Sequence, residues 1–306
     1  MAFHFIFWDG VGYGKKDATV NPFFAAHLPL LRSLFGGELP SLRFRRFSSD
    51  HVSLSPVNTT LRVPGLPQSG TGQTAIMTGV NAPKFVGKHF GPHPYSTLVP
   101  IIKEKNLFVQ LQQMGKRSFF VNGYPQRYLD FLFGPKGRIP TIALAYLSAG
   151  GTLGSSEEVR TGAAISADIT GTRWEELGHP EVKKIDAKEA GRRMAGFGKQ
   201  FDLTFFEYFV TDHAGHSQQM AVSVEMLERM DGFLAGILES FDHRKDTILM
   251  ISDHGNIEDL SVKTHTMNPV PLIVIGRRHR ELSARISNLT HITPAVLDHF
   301  TRPETD

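Results

Sequence analysis

The chain contains no cysteine in 306 residues. Disulfides, thiolate metal sites and thiol catalysis are therefore excluded, and a metal ion here must be held by His, Asp or Glu. A marked excess of one charge is missing too: 33 Lys and Arg stand against 30 Asp and Glu. The short basic clusters, Arg45 with Arg46 and residues 277–280, read as solvated surface, so no nucleic-acid partner is expected. Long apolar runs are absent, and none approaches the length of a membrane span. The apolar stretch at residues 4–8 is too short for a secretory signal and runs straight into Asp9 and Gly10. A cytoplasmic protein without a membrane partner is the resulting expectation. At 41% hydrophobic and 21% charged residues, the chain has the balance of a globular protein. Its length suits a single domain over 1–306 with a small insertion.

Short apolar runs are plentiful. Phe3–Trp8, 118–121, 203–210, Thr247–Ile251 and 271–275 have the length of buried strands and are rich in β-branched or aromatic residues. Helical patterns lie between them. Residues 218–239 place Met220, Val224, Leu227, Leu234 and Leu238 near one face. Residues 98–114 read as a helix closed by Gly115, and 293–300 as a short one with Pro294 in its first turn. The alternation predicts an α/β fold: a doubly wound, mainly parallel sheet with helices on both faces. Residues 126–199 differ, with many Gly, Ser and Thr, and read as a loop-rich lid or small insertion.

In open α/β sheets, ligands bind beyond the carboxyl ends of the strands. Asp9 follows the first run, Asp212 and His216 the third, and Asp253 and His254 the fourth; His265 precedes the last. Each alone has a plain reading as a turn former, helix cap or surface histidine. Together they would crowd carboxylates and imidazoles that repel or change protonation, unless cations lie among them. Two divalent ions resolve that conflict, and an Asp/His set suits Mn or Zn first, with Mg also compatible. His213 and His243 are left out, the first for its phase against Asp212, the second for its place in a polar loop.

Residues 67–79, PQSGTGQTAIMTG, read as a glycine-rich turn entering a short helix, with Ser69 at its start. Free N–H groups and the helix dipole favour an anion there, and a metal-bound serine becomes a nucleophile. A plain N-cap serine is the competing reading. Other motifs fail. Gly10, Gly12 and Gly14 lack the third glycine of a dinucleotide fingerprint, since Lys15 stands there. Residues 65–70 begin like a P-loop, but Thr71 replaces the lysine. Ser69 lacks the flanking glycines of a hydrolase elbow.

Asp9-Gly, the Ser69 turn ending in Thr78-Gly79, Asp212-x-x-x-His216, Asp253-His254-Gly-Asn and Thr264-His265-Thr-x-Asn-Pro-Val-Pro occur in one order. That ordered set resembles the alkaline phosphatase superfamily, and within it the cofactor-independent phosphoglycerate mutase and phosphopentomutase branch. The resemblance covers roughly residues 1–125 and 200–300. It implies that Asp212, His216 and His265 hold one metal. It implies that Asp9, Asp253 and His254 hold a second, which Ser69 contacts as nucleophile. Thr71 on the same turn is the fallback. The implied reaction is in-line attack by Ser69 on a phosphoryl group of a small phosphorylated metabolite, through a phosphoserine.

The mutases carry a large cap that lets the phosphoryl group return to the same molecule. Here only 126–199 can serve, so hydrolysis of phosphomonoesters is the expectation. A phosphomutase, or hydrolysis of phosphodiesters, phosphonates or sulfate esters, is the alternative. Lys84, Lys88 and His89 lie after the Ser69 helix and read equally as substrate contacts or a solvated loop. Oligomeric state is left open.

Overall fold

The first strand, β1 (Phe3–Trp8), is buried at every residue. Its side chains alternate: Phe3, Phe5 and Phe7 enter one apolar core, Ile6 and Trp8 another. A run apolar on both faces is what a strand covered from both sides requires. The computed structural model describes residues 1–302. Its further strands are β2 (Phe47–Ser48), β3 (Val52–Val57), β4 (Ser118–Phe120), β5 (Asn122–Gly123), β6 (Ile165–Ser166), β7 (Leu203–Tyr208), β8 (Thr247–Ile251) and β9 (Val270–Gly276). Seven of them form one sheet in the order β2-β3-β9-β8-β1-β7-β4, and β5 pairs with β6 apart from it.

The sheet is mixed. Strands β8, β1, β7 and β4 run parallel as neighbours, while β9, β3 and β2 are joined by antiparallel pairings. The expected mainly parallel sheet thus holds for one half only. The cause lies in the connection between β8 and β9. A parallel partner needs a crossover, usually helical. Residues 252–269 form no helix, so the chain turns back at the same edge and β9 descends antiparallel. That edge therefore collects the ends of β1, β7 and β8 and the beginning of β9.

Helices cover both faces. Ser69–Thr78, Leu107–Gln113, Thr141–Ser148 and Ile292–Thr301 contribute to the core holding Phe5 and Phe205. Ala187–Phe197 and Met220–Leu238 pack together over the other face, against Ile6, Phe206 and Met250. Two helix readings needed adjustment. The pattern at 98–114 divides into Val99–Lys105 and Leu107–Gln113, because Asn106 turns extended and caps the second helix through Val109 N–H. Residues 126–199 carry four short helices among their loops: Gln126–Phe133, Thr141–Ser148, Ser156–Thr161 and Ala187–Phe197. Glycine and hydroxyl content there marks short helices with caps, such as the Ser155–Glu158 capping box and left-handed Gly162. Among the described residues no helix is long and apolar enough to cross a membrane.

Candidate metal centre

The three central parallel strands deliver acidic or imidazole groups to one edge. Asp9 follows β1 directly. Asp212 and His216 sit on the Val210–Ser217 helix that follows β7, and Asp253 and His254 follow β8. Two glycines allow the close approach. Gly10 has φ +70°, and a Cβ on it would lie 2.7 Å from Asp212 Oδ1. A Cβ on Gly72 would lie 2.9 Å from the Asp253 Cβ, so the Ser69–Thr78 helix reaches the site because that position carries no side chain.

One group of donors is Asp212, His216 and His265, whose ligand-capable atoms all lie within 4.8 Å of one another. His265 Nδ1–H donates to the Pro67 carbonyl at 2.7 Å, and His216 Nδ1–H to the Lys263 carbonyl at 2.9 Å. Carbonyls only accept, so each Nδ1 points its hydrogen outward and each Nε2 faces inward. Those two Nε2 atoms are 3.3 Å apart, and Asp212 oxygens lie 3.3 and 3.6 Å from them. Lone pairs facing each other at that distance repel without a proton or cation between them. The backbone acceptors behind each ring are the support that metal-ligating histidines ordinarily have.

The second group is Asp9, Asp212 and His254. His254 Nε2 lies 3.4 Å from Asp9 and 3.6 Å from Asp253. The sequence placed Asp253 in this set and Asp212 only in the first. Geometry puts Asp212 between the two groups, with Asp253 bordering His254. Asp253 is fully buried, and neither of its carboxylate oxygens has a hydrogen-bond partner; Asp9 Oδ1 has none either. Among the described residues no Lys or Arg pairs with Asp9, Asp212 or Asp253. Buried carboxylates left so are costly. The donor set therefore fits divalent cations.

The protein alone shows the strain of this arrangement. Burial, then the charges of Asp253 and Asp212, push the Asp9 carboxyl well above its ordinary range. Burial raises Asp253 to about 7. Burial and the neighbouring His265 lower His254 to about 3, so its imidazole is neutral. Asp212 goes the other way: burial opposes its charge, but hydrogen bonding to His216 and Asn256 and the imidazoles of His254 and His265 beside it outweigh that. Cations would favour the ionised carboxylates and neutral imidazoles throughout.

Ser69 begins its helix with Oγ 3.0 Å from His254 Nε2. The fallback Thr71 is fully buried, donates to the Gln68 carbonyl at 3.1 Å and accepts from Phe90 N–H at 3.2 Å. Its hydroxyl is engaged, whereas that of Ser69 faces the donor groups. His213 lies at the wall of the adjoining cavity and belongs to neither donor group, and His243 stacks on His51 elsewhere. Lys84 and Lys88 are exposed, Lys88 lying 6.0 Å from the Phe90 ring centroid.

Four polar residues escaped the sequence reading. Asn256 donates to Asp212 Oδ1 at 2.6 Å and Gln73 to Asp9 Oδ2 at 3.5 Å. Glu258 is fully buried and accepts from Gly12 N–H (3.0 Å), Asn256 N–H (2.7 Å), Thr266 Oγ1 (2.5 Å) and Asn268 Nδ2 (3.1 Å). Glu207, inside β7, is buried and raised to about 8 by burial and then by Asp253. A lone carboxylate inside the apolar run LTFFEY was the signal for it. Above Asp9, Ser69 and Asp212 lies a cavity of about 580 Å³, walled largely by 123–140 and 166–177.

A family model described as the metalloenzyme superfamily matches residues 1–303. Among curated proteins, the chain is similar to the 2,3-bisphosphoglycerate-independent phosphoglycerate mutase of Desulforudis audaxviator. The two are 30% identical over 127 residues, 40% of this chain and 25% of that one. The same enzyme of Thiobacillus denitrificans is 32% identical over 133 residues, 41% of this chain and 25% of that one. The chain thus spans about a quarter of the length of the curated relatives it matches. Two solved structures share the fold over nearly all of it. A protein from Pyrococcus horikoshii has a TM-score of 0.58 at 16% identity, covering 100% of this chain and 98% of that one. A cold-active alkaline phosphatase from Shewanella has 0.56 at 11%, covering 99% and 100%.

Proposed function

The chain belongs to the metalloenzyme superfamily, and on that premise we propose that it moves a phosphoryl group through Ser69, returning it to its substrate as a phosphomutase does. The family match, the similarity to cofactor-independent phosphoglycerate mutases and the two donor groups support a metal-dependent phosphatase or phosphotransferase. Hydrolysis was the expectation from the short middle segment. Two findings weigh against it. The curated relatives above are mutases, and the middle segment does wall a cavity over Ser69. That cavity is the observation that carries the reading, because a dephosphorylated substrate must be held while the phosphoryl group waits on the enzyme. We read 1–306 as one domain and the cavity-lining parts of 126–199 as its lid.

In this reading Asp212, His216 and His265 would hold one divalent ion. Asp9, Asp253, His254 and Ser69 would hold another, and Asp212 belongs to both donor groups. Such ions, Mn or Zn, supply charge for the entering and leaving oxygens and lower the pKa of the serine hydroxyl. The protein's own groups do the rest. His216 and His265 are held with Nε2 inward by backbone carbonyls. Ser69 Oγ attacks phosphorus from the start of its helix, whose dipole favours the anionic group. The phosphoserine forms as the substrate oxygen leaves, and a second hydroxyl of the substrate, still held in the cavity, then takes the group.

The test is a rapid acid quench of Mn-loaded protein with a panel of ³²P-labelled phosphomonoesters that carry a second hydroxyl, sugar phosphates and hydroxymethyl-substituted benzyl phosphates alike. A label on Ser69 with isomerised ester supports the proposal. A label with stoichiometric free phosphate returns the assignment to hydrolysis. Transfer undiminished in Ser69→Ala removes Ser69 from its role, whereas Thr71→Val is expected to retain the label.

A further inference from the structure

We infer that the substrate carries an apolar, ring-sized body on its phosphorylated oxygen, and that the cavity over Ser69 selects for it. The inference rests on phosphoryl transfer at Ser69 and holds whether a hydroxyl or water is the acceptor. The cavity is two-ended. Its floor is Asp9, Ser69, Gln73, Glu207 and Asp212. Away from the floor its walls are mostly hydrocarbon and aromatic ring: Tyr124, Tyr128, Phe131, Leu132, Trp174 and Phe209. A sugar acid or polyol would need a matching array of donors and acceptors, since each buried hydroxyl left unpaired is costly. Several polar groups on the walls are already engaged: Ser166 with Trp174 and Asp168, Asp168 with Arg229, and Arg173 with Glu176.

The cations tell the same story. Arg173 lines the cavity but pairs with Glu176 at 3.4 Å on the surface. Arg138 has no ion pair among the described residues, and its charge acts on His93. Among the described residues Arg138 is thus the lining cation without an ion pair, and it is free to meet the phosphoryl group of a substrate.

The walls are also fixed in place, as a selective surface must be. Trp174 Nε1–H donates to Ser166 Oγ at 2.7 Å, and its ring packs with Val159, Ala164 and Val182. Asp168 ties the same segment to Arg229 of the Met220–Leu238 helix at 3.4 Å. The Tyr124 and Tyr128 rings stand 5.2 Å apart. At the mouth, Phe131 and Leu177 are 57% and 43% exposed. Large apolar side chains left in water beside a hydrocarbon-lined cavity form one continuous surface for an apolar group to slide along.

Benzyl phosphate and glycerol 1-phosphate test this, because their leaving alcohols are of similar acidity and their bodies are opposite. With Mn-loaded protein, benzyl phosphate is expected to show a KM roughly 10- to 100-fold lower, the value of burying one ring. Calorimetry with benzylphosphonate against methylphosphonate reads the same preference without turnover. Phe131→Ser with Leu177→Ser changes only exposed positions, so folding is spared, and the benzyl-over-glycerol ratio should fall severalfold. An equal or lower KM for glycerol 1-phosphate, or a ratio unmoved by the double variant, overturns the inference. Should neither ester label or turn over, the Ser69 reading fails, and the phosphonate pair decides this inference alone: equal affinities refute it, a benzyl preference upholds the cavity's selectivity.

Discussion

Glu258→Gln isolates the residue that holds three site-bearing segments together. The Glu258 carboxylate takes hydrogen bonds from the loop after β1 (Gly12), the loop after β8 (Asn256) and the approach to β9 (Thr266 and Asn268). Glutamine keeps the shape but one acceptor oxygen. If that oxygen serves Gly12 and Asn256, the new NH₂ group confronts Thr266 and Asn268. Thr266 can reverse its hydroxyl and accept; Asn268 cannot donate to a donor. One buried donor left unpaired costs about 1–3 kcal/mol, and the remaining bonds lose the assistance of charge, about another 1 kcal/mol. The sum is about 2–4 kcal/mol, a large share of a domain's usual margin. The same change loosens the segments carrying Asp9, Asp253, His254 and His265, so metal affinity should fall about 10- to 100-fold. Urea unfolding in chelator and metal titration by calorimetry measure the two effects separately. A variant within about 0.5 kcal/mol of the parent and with unchanged metal affinity would refute the reasoning.

Three further outcomes follow from the site's geometry and charge. Gly72→Ala places a Cβ 2.9 Å from that of Asp253; the displaced carboxylate should cost about 1–3 kcal/mol and weaken one ion more than the other in a two-site titration. Glu207 has its folded pKa, about 8, above the ordinary 4.5, so the folded state binds more protons between those values and stability falls as pH rises through them. Metal-free Glu207→Gln lacks that decline and should gain on the parent by a few kcal/mol, on the order of 1.4 per pH unit at most, between pH 4.5 and 8; parallel curves would show that Glu207 ionises freely. Adding a divalent ion at 100 times its Kd should raise unfolding free energy by about 2.7 kcal/mol per site, and a chelator should reverse it; thermal unfolding insensitive to both would mean that the carboxylates are satisfied without cations.

Much of this was readable in the chain because the relevant signals are local. Strand ends followed by Asp or Asp-His place donors on one edge wherever the strands are parallel neighbours, and β8, β1 and β7 are. The direction of β9 was not readable, since the periodicity of PLIVI is the same whichever way the strand runs. The break at Asn106 was hidden by an apolar pattern that continues across it, although Asn is a good cap. In 126–199, composition spoke for loops while the structure uses the same glycines and hydroxyls to end and cap short helices. At the site, Asp212 and Asp253 could not be ordered by sequence: which of two carboxylates stands between the donor groups depends on tertiary packing. Asn256 stood within a motif already noticed, yet its bond to Asp212 exists only once the β7 and β8 loops meet. The apolar cavity was likewise invisible, because its walls come from 123–140, 166–177 and 207–213, which meet only in the fold.

The central claim, a phosphoryl-transfer centre built on two cations beside Ser69, is tested most directly by anomalous-difference density from crystals loaded with Mn²⁺. The account predicts two peaks. One should lie about 2.0–2.3 Å from donor atoms of Asp212, His216 and His265, the other at similar distances from Asp9, Asp253, His254 and Ser69. A single peak, or peaks away from these side chains, would contradict it.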